Sequence, residues 1–149
     1  MIKVSELISF IKDCWFLGNE LDNGEMENVH KYLSENCDPF NPFCWFEKYL
    51  YHDNNKWIHF MMTFDYDSGD DNSLHLFLTL VNDGLNFEIH IDPTGLITCP
   101  FNFIGFDFED FDDVEIDFDS VYKELVVAFN DLKEKSLLKQ NHMLVIIYV

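Results

Sequence analysis

A change in hydrophobic period near residue 57 constrains the fold of this chain more than any other feature. Apolar side chains then recur at every second position in three stretches, which is the pattern of half-buried β-strands. The stretches are 56–67, 73–82 and 85–92. Asp83-Gly84 joins the last two, and this dipeptide favours the two-residue turn of a β-hairpin. The sequence therefore predicts an antiparallel meander, which "LITC" extends by a fourth strand.

The flanking segments have the spacing of amphipathic helices. A first helix is predicted in 4–19, capped by Ser5 and ended by Gly18, and a shorter one in 24–36. A long helix is predicted in 119–138, with Asp119 or Ser120 as its cap.

Two further segments complete the predicted architecture. The segment 44–52 is compatible with helix or strand, and 142–149 is a predicted closing strand. The fold class is therefore α+β, a single domain over 1–149. A mainly antiparallel sheet of three to five strands carries the N-terminal helices and the long C-terminal helix on one face.

The charge of the chain is strongly negative and unevenly placed. The net charge is −19, and all nine basic residues are Lys. Residues 57–122 contain fifteen acids and no Lys. Such a surface disfavours binding to nucleic acid or to an anionic membrane and favours capture of a cationic partner. Apolar residues make up 48% of the chain, which excludes a disordered acidic tail.

The compartment predicted from the sequence is the cytoplasm. Glu6, Lys12 and Asp13 interrupt the first apolar stretch, unlike the core of a signal peptide. The four Cys form no CxxC motif, so free, buried thiols are expected rather than a disulfide framework.

The densest negative charge lies in the acidic segment, residues 106–119, "FDFEDFDDVEIDFD". A change of phase at Gly105 and a break at "EDFDD" predict two short extended pieces joined by an exposed tip at 110–113. The Phe, Val and Ile side chains are expected to anchor the segment in the core. The predicted partner-binding carboxylates are Asp107, Glu109, Asp110, Asp112, Asp113, Glu115 and Asp117, together with Asp67, Asp70 and Asp71 of a predicted acidic hairpin loop at 65–71. The alternative is an acidic edge strand whose charge only prevents edge-to-edge pairing.

The other face of the predicted sheet carries several His side chains. A two-residue loop at Asp83-Gly84 places His75 opposite Asp92, His90 opposite Phe77, and Thr79 opposite Glu88. His75, His90 and Asp92 are thus an alternative metal site, although no HxH or HExxH spacing supports it. An ordinary half-solvated face is favoured, and no metal or cofactor is predicted. With Trp57, Met61 and Phe77, the same face also suits a docking partner.

The sequence contains none of the common catalytic or nucleotide-binding motifs that were considered. No GxGxxG, P-loop or GxSxG is present, and the "DYDSGDD" loop lacks the Gly and Glu of a calcium-binding loop. The protein is therefore predicted not to be an enzyme.

A small, acidic, cytosolic α+β domain without catalytic motifs resembles the bacterial immunity proteins of polymorphic and contact-dependent growth-inhibition toxin systems. This resemblance of type implies an inhibitor that forms a tight heterodimer with one cognate basic toxin domain, such as a nuclease. It transfers no residue positions and makes no prediction of a homo-oligomer. Two alternatives stay open: a nucleic-acid mimic such as an anti-restriction protein, and a metal-dependent enzyme that uses the His-bearing face.

Overall fold

The computed structural model of this protein describes residues 1–12, 21–37, 43–66, 72–91, 97–102 and 106–140. The predicted α+β class is confirmed. In chain order, the elements are β1 (Ile2–Lys3), α1 (Val4–Lys12), α2 (Asn23–Asn36), β2 (Cys44–Asp53), β3 (Lys56–Tyr66), β4 (Asn72–Asn82), β5 (Leu85–Ile91), β6 (Ile97–Asn102), a 3₁₀-helix (Phe108–Phe111), β7 (Glu115–Ile116) and α3 (Phe118–Glu134).

The main sheet is an antiparallel meander of five strands in the order β2-β3-β4-β5-β6. Asp83 and Gly84 both have positive φ, 51° and 80°, as the predicted hairpin turn requires. The predicted opposition of Phe77 to His90 is confirmed, and so is that of Thr79 to Glu88. The ambiguous segment 44–52 lies within β2, and β6 is the predicted fourth strand. Asp92 and the segment 142–149 lie outside the described residues.

The core lies between the helices and one face of the sheet. Ile58, Phe60, Met62 and Phe64 of β3 are all fully buried, as their alternation predicts. The helices supply side chains at three- and four-residue spacing: Leu7 and Ile11 from α1, Met26, Val29 and Leu33 from α2, and Val121, Leu125, Phe129 and Leu132 from α3. The structure therefore confirms the prediction that the helices cover one face. The opposite side of the sheet, which we call the outer face, carries Trp57, His59, His75, Phe77 and His90.

The predicted helix caps are wrong. Helix α1 begins at Val4, so Ser5 lies inside it, and α3 begins at Phe118, one residue before Asp119. Asp117 caps α3, because its carboxylate accepts a hydrogen bond from the Ser120 amide. The predicted end of the first helix at Gly18 lies outside the described residues. Of the helices described, none has the length and apolar character needed to cross a membrane.

Candidate functional site

The acidic segment is compact where an extended tip was predicted. Asp107 accepts a 2.9 Å hydrogen bond from the Glu109 amide and caps a 3₁₀-helix over Phe108–Phe111. The chain then turns, with a 3.0 Å bond from the Val114 amide to the Phe111 carbonyl. Only Glu115–Ile116 is a strand, paired with β1. The prediction of two extended pieces is therefore wrong for the first piece, because these local hydrogen bonds satisfy the backbone without a partner strand.

Buried apolar side chains fix this compact segment to the core. Phe111, Val114, Ile116 and Phe118 are all at most 3% exposed. Phe108, which was predicted to be anchored with them, is instead 40% exposed. Phe108 and Phe111 share one side of the 3₁₀-helix, but Phe108 lies against Phe87 at the margin of the core, whereas Phe111 is fully buried. The anchoring of the segment is thus confirmed for four side chains, Phe106 is partly buried against the core, and Phe108 is the exception.

The carboxylates of the segment point to solvent and form a surface that we call the acidic ridge. All its members are exposed. They are Asp107, Glu109, Asp110, Asp112, Asp113, Glu115 and Asp117. The other predicted contact residues, Asp67, Asp70 and Asp71, lie outside the described residues.

Three of the ridge carboxylates stabilise the segment itself. Asp107 and Asp117 are helix caps, and Asp110 accepts a 2.5 Å hydrogen bond from the Asn82 side chain. Hydrogen bonds from Ser120 lower the pKa of Asp117 below its usual value. Glu109, Asp112 and Glu115 have no side-chain hydrogen bond or ion pair in the described part of the chain. These three are therefore the ridge carboxylates that are available to a partner at least cost to the fold.

Lys56 meets the ridge from the β2–β3 hairpin, which the sequence did not indicate. Its ammonium group donates a 2.7 Å hydrogen bond to the Asp110 carbonyl and lies 3.8 Å from the Asp113 carboxylate. It also lies 5.4 Å from the centre of the Phe111 ring, within cation–π range. Lys56 is the last basic residue before the stretch 57–122, which contains none. Its contact with the acidic segment becomes apparent only from the tertiary fold. The segment is thus held by a cation beneath it while its carboxylates face outward.

The outer face brings two of the three predicted metal-site residues together. His75 Nδ1 and His90 Nε2 are 2.7 Å apart, and the His90 ring stacks on Phe77 at 4.3 Å. His75 is only 7% exposed. Asp92 lies outside the described residues, and the described part of the chain contains no group of three or more potential metal ligands. The contact between the two rings is an imidazole–imidazole hydrogen bond.

Strand β2 adds side chains to the outer face that sequence reasoning missed. Tyr49 is 53% exposed and contacts the His59 ring at 5.0 Å, while Glu47 lies 2.9 Å from His59 Nε2. His52 stacks on Trp57 at 6.0 Å. Because the sequence of 44–52 is compatible with either helix or strand, it did not predict that these side chains lie on the outer face. Their mixture of aromatic and polar groups is typical of protein interfaces.

The described thiols do not indicate a nucleophile. Burial, and then the charge of Glu47, raise the pKa of Cys44 to about 12, so the thiol is neutral at ordinary pH. Cys37 is exposed, which contradicts the expectation of buried thiols for this residue. Its position just after the end of α2 places it at the surface.

Two surfaces thus carry the candidate functional side chains, the acidic ridge and the outer face. Only the ridge combines uniform charge with a backbone that is fixed from below. Comparisons with protein-family models, curated proteins and solved structures found no match to this chain.

Proposed function

We propose that this protein binds a basic protein through the acidic ridge and inhibits it by covering its cationic surface. The observation that carries the proposal is the exposure of seven carboxylates on a segment whose Phe111, Val114, Ile116 and Phe118 are buried. A fixed array loses less conformational freedom on binding than a flexible acidic tail does. Such an array is therefore suited to pairing with Lys and Arg side chains of a partner.

The charge of the whole chain supports the same partner class. A net charge of −19 attracts a cationic protein over a distance of about one Debye length, which raises the association rate. Proteins that process nucleic acids need basic clefts to hold phosphates. We propose a nuclease-type toxin domain as the partner, in a heterodimer, as the resemblance to immunity proteins implies.

A nucleic-acid mimic is the runner-up, and the shape of the ridge disfavours it. A mimic presents carboxylates along an extended surface, as phosphates follow a duplex. The ridge instead occupies one 3₁₀-helix, a turn and a two-residue strand. A patch of this size suits one site on one protein.

Affinity capture from cells of the source organism tests the proposal. The purified protein is immobilised, and the bound proteins are identified by mass spectrometry at low and at high ionic strength. Recovery of one basic protein whose activity falls when the complex forms supports inhibition. Recovery of many DNA-binding proteins, all released by salt, supports the mimic, and recovery of no basic protein contradicts both.

A further inference from the structure

An apolar cleft of about 480 Å³ lies directly beside the acidic ridge. It is formed where the start of α1 meets β5 and the 3₁₀-helix of the acidic segment. Its walls are mostly aliphatic and aromatic, with polar groups at only three positions. The polar positions are Lys3, Ser5 and Asp112, and the apolar lining includes Val4, Ile8 and Phe108.

Phe108 gives this cleft an exposed aromatic wall. The ring is 40% exposed, although it contacts Phe87 edge-to-face at 4.7 Å and Phe106 at 5.0 Å. These two contacts fix the orientation of the ring. Apolar surface that stays in water is costly, and a ligand that covers it gains about 25 cal/mol for each Å² removed from water. The cleft is therefore preformed for an apolar group.

Charge determines which apolar ligand fits best. Two charged side chains line the cleft, the cation of Lys3 and the carboxylate of Asp112, which also belongs to the acidic ridge. Asp113 follows Asp112 in the chain, and the Asp112 amide donates a hydrogen bond to the Glu109 carbonyl, so the Asp112 side of the cleft is negative. A ligand with a cation next to its apolar group can fill the cleft and pair with Asp112 at the same time. A second copy of this chain is disfavoured as the occupant, since each copy carries a net charge of −19.

We propose that the cleft receives an apolar side chain from a lysine- or arginine-bearing segment of the basic partner, with Asp112 paired to the adjacent cation. The proposal rests on the proposed function and specifies the chemistry of the partner's contact segment. Surface charge pairs mainly raise the association rate, whereas a buried apolar anchor slows dissociation. The ridge and the cleft thus have separate roles in one interface.

The cleft can be tested before a partner is identified. Short peptides are titrated into the protein, and binding is monitored by NMR. The probes are N-acetyl-Lys-Phe-Lys-amide and N-acetyl-Lys-Gly-Lys-amide. We expect the Phe peptide to shift the methyl signals of Val4 and Ile8 and to bind about tenfold or more tightly than the Gly peptide, because it buries a Phe side chain. We expect the Gly peptide to shift only the ridge amides.

Two variants make the test specific to the cleft. Ser5→Trp places a large ring in the cleft, and Val127→Trp adds the same ring on α3 at a position that is 69% exposed. We expect the first variant to abolish the tenfold advantage of the Phe peptide and the second to preserve it.

Three outcomes overturn the cleft proposal. The first is equal binding of both peptides without methyl shifts, and the second is an undiminished advantage in Ser5→Trp. The third is equally tight entry of N-acetyl-Glu-Phe-Glu-amide, which indicates a general apolar pocket with no preference for cations. Shifts of the ridge amides caused by the Gly peptide report on the affinity of the ridge for cations, so a failure of the cleft proposal can be distinguished from a failure of the proposed function.

Discussion

Lys56 holds the acidic segment by its backbone, through the 2.7 Å hydrogen bond from its ammonium group to the carbonyl oxygen of Asp110. The two residues are 54 positions apart in the chain, so the hairpin between β2 and β3 sets their contact. Because the bond uses the carbonyl group, the Asp110 carboxylate stays free to accept from Asn82. One cation thus stabilises the segment from beneath without covering its outer carboxylates.

Replacement of Lys56 is expected to destabilise the protein. Lys56→Met removes the bond to Asp110, the ion pair with Asp113 and the cation–π contact with Phe111, and the side chain it replaces is only 20% exposed. We expect the free energy of unfolding to fall by about 1–2 kcal/mol, measured by urea denaturation. Lys31→Met is the matched control, since Lys31 is exposed and has no ion pair within the described ranges. Equal stability of the two variants would show that the Lys56 contact contributes nothing.

Glu25 connects helix α2 to the segment after α3. Its carboxylate accepts hydrogen bonds from the Asp22 amide at 3.3 Å and from the Lys139 amide at 3.0 Å. The residue is 7% exposed, so Glu25→Ala leaves two partly buried amide donors without their acceptor. We expect a loss of about 2 kcal/mol of unfolding free energy, whereas Glu27→Ala on the exposed side of α2 is expected to change it by less than about 0.5 kcal/mol. A similar loss in both variants contradicts this account of Glu25.

The Asp117 cap is expected to make stability depend on pH. Ser120 lowers the folded-state pKa of Asp117 below the ordinary value of 3.8. The ionised carboxylate therefore contributes stability above about pH 4, and this contribution is lost as pH falls through the lowered pKa. Thermal unfolding is expected to show a lower Tm for Asp117→Ala than for wild type at neutral pH, with the difference shrinking in acid.

Asp119→Ala is the control for this pH effect. Asp119 is exposed in the first turn of α3 and makes no capping hydrogen bond of the kind that Asp117 makes. We expect the Asp119 variant to lie closer to wild type at every pH. A pH-independent difference for Asp117→Ala would refute the assignment of the effect to the ionised cap.

Thiol alkylation is expected to distinguish Cys37 from Cys44, the two Cys residues whose side chains the structure describes. With a pKa of about 12, only about one Cys44 thiol in ten thousand is ionised at pH 8. Cys37 is exposed at the end of α2. Peptide mapping after brief iodoacetamide treatment is expected to show Cys37 modified at least about a hundredfold faster than Cys44. Comparable rates would contradict the burial and the neutral state of Cys44.

The regular elements were predictable because burial alternates along them. Ile58 and Phe60 are buried while His59 between them is half-buried, and this pattern is visible in the sequence. Asp83-Gly84 indicated the β4–β5 register because the two-residue hairpin turn requires positive φ at both positions, and few residue pairs accept it.

The structure of the acidic ridge was less predictable, because it depends on a local competition between backbone conformations and on contacts between residues far apart in the chain. The capping bond of Asp107 competes locally with an extended backbone, and composition does not show which of the two is more stable. The contact of Lys56 with Asp110, and the cleft between α1, β5 and the 3₁₀-helix, arise only when separate parts of the chain pack together. The sequence therefore indicated the charge of the ridge but not the means by which it is held.

The most direct test of the central claim is quantitative capture by two variants that remove the same number of charges. The first neutralises three ridge carboxylates that lack side-chain partners among the described residues, and the second neutralises three exposed carboxylates on α2 and α3. The substitutions are Glu109→Gln, Asp112→Asn and Glu115→Gln in the first, and Glu27→Gln, Glu35→Gln and Glu134→Gln in the second. We expect wild type and the second variant to recover the same basic protein from cells of the source organism, and the first variant to recover at least about tenfold less of it. Equal recovery by the two variants would contradict the claim that the acidic ridge is the binding surface.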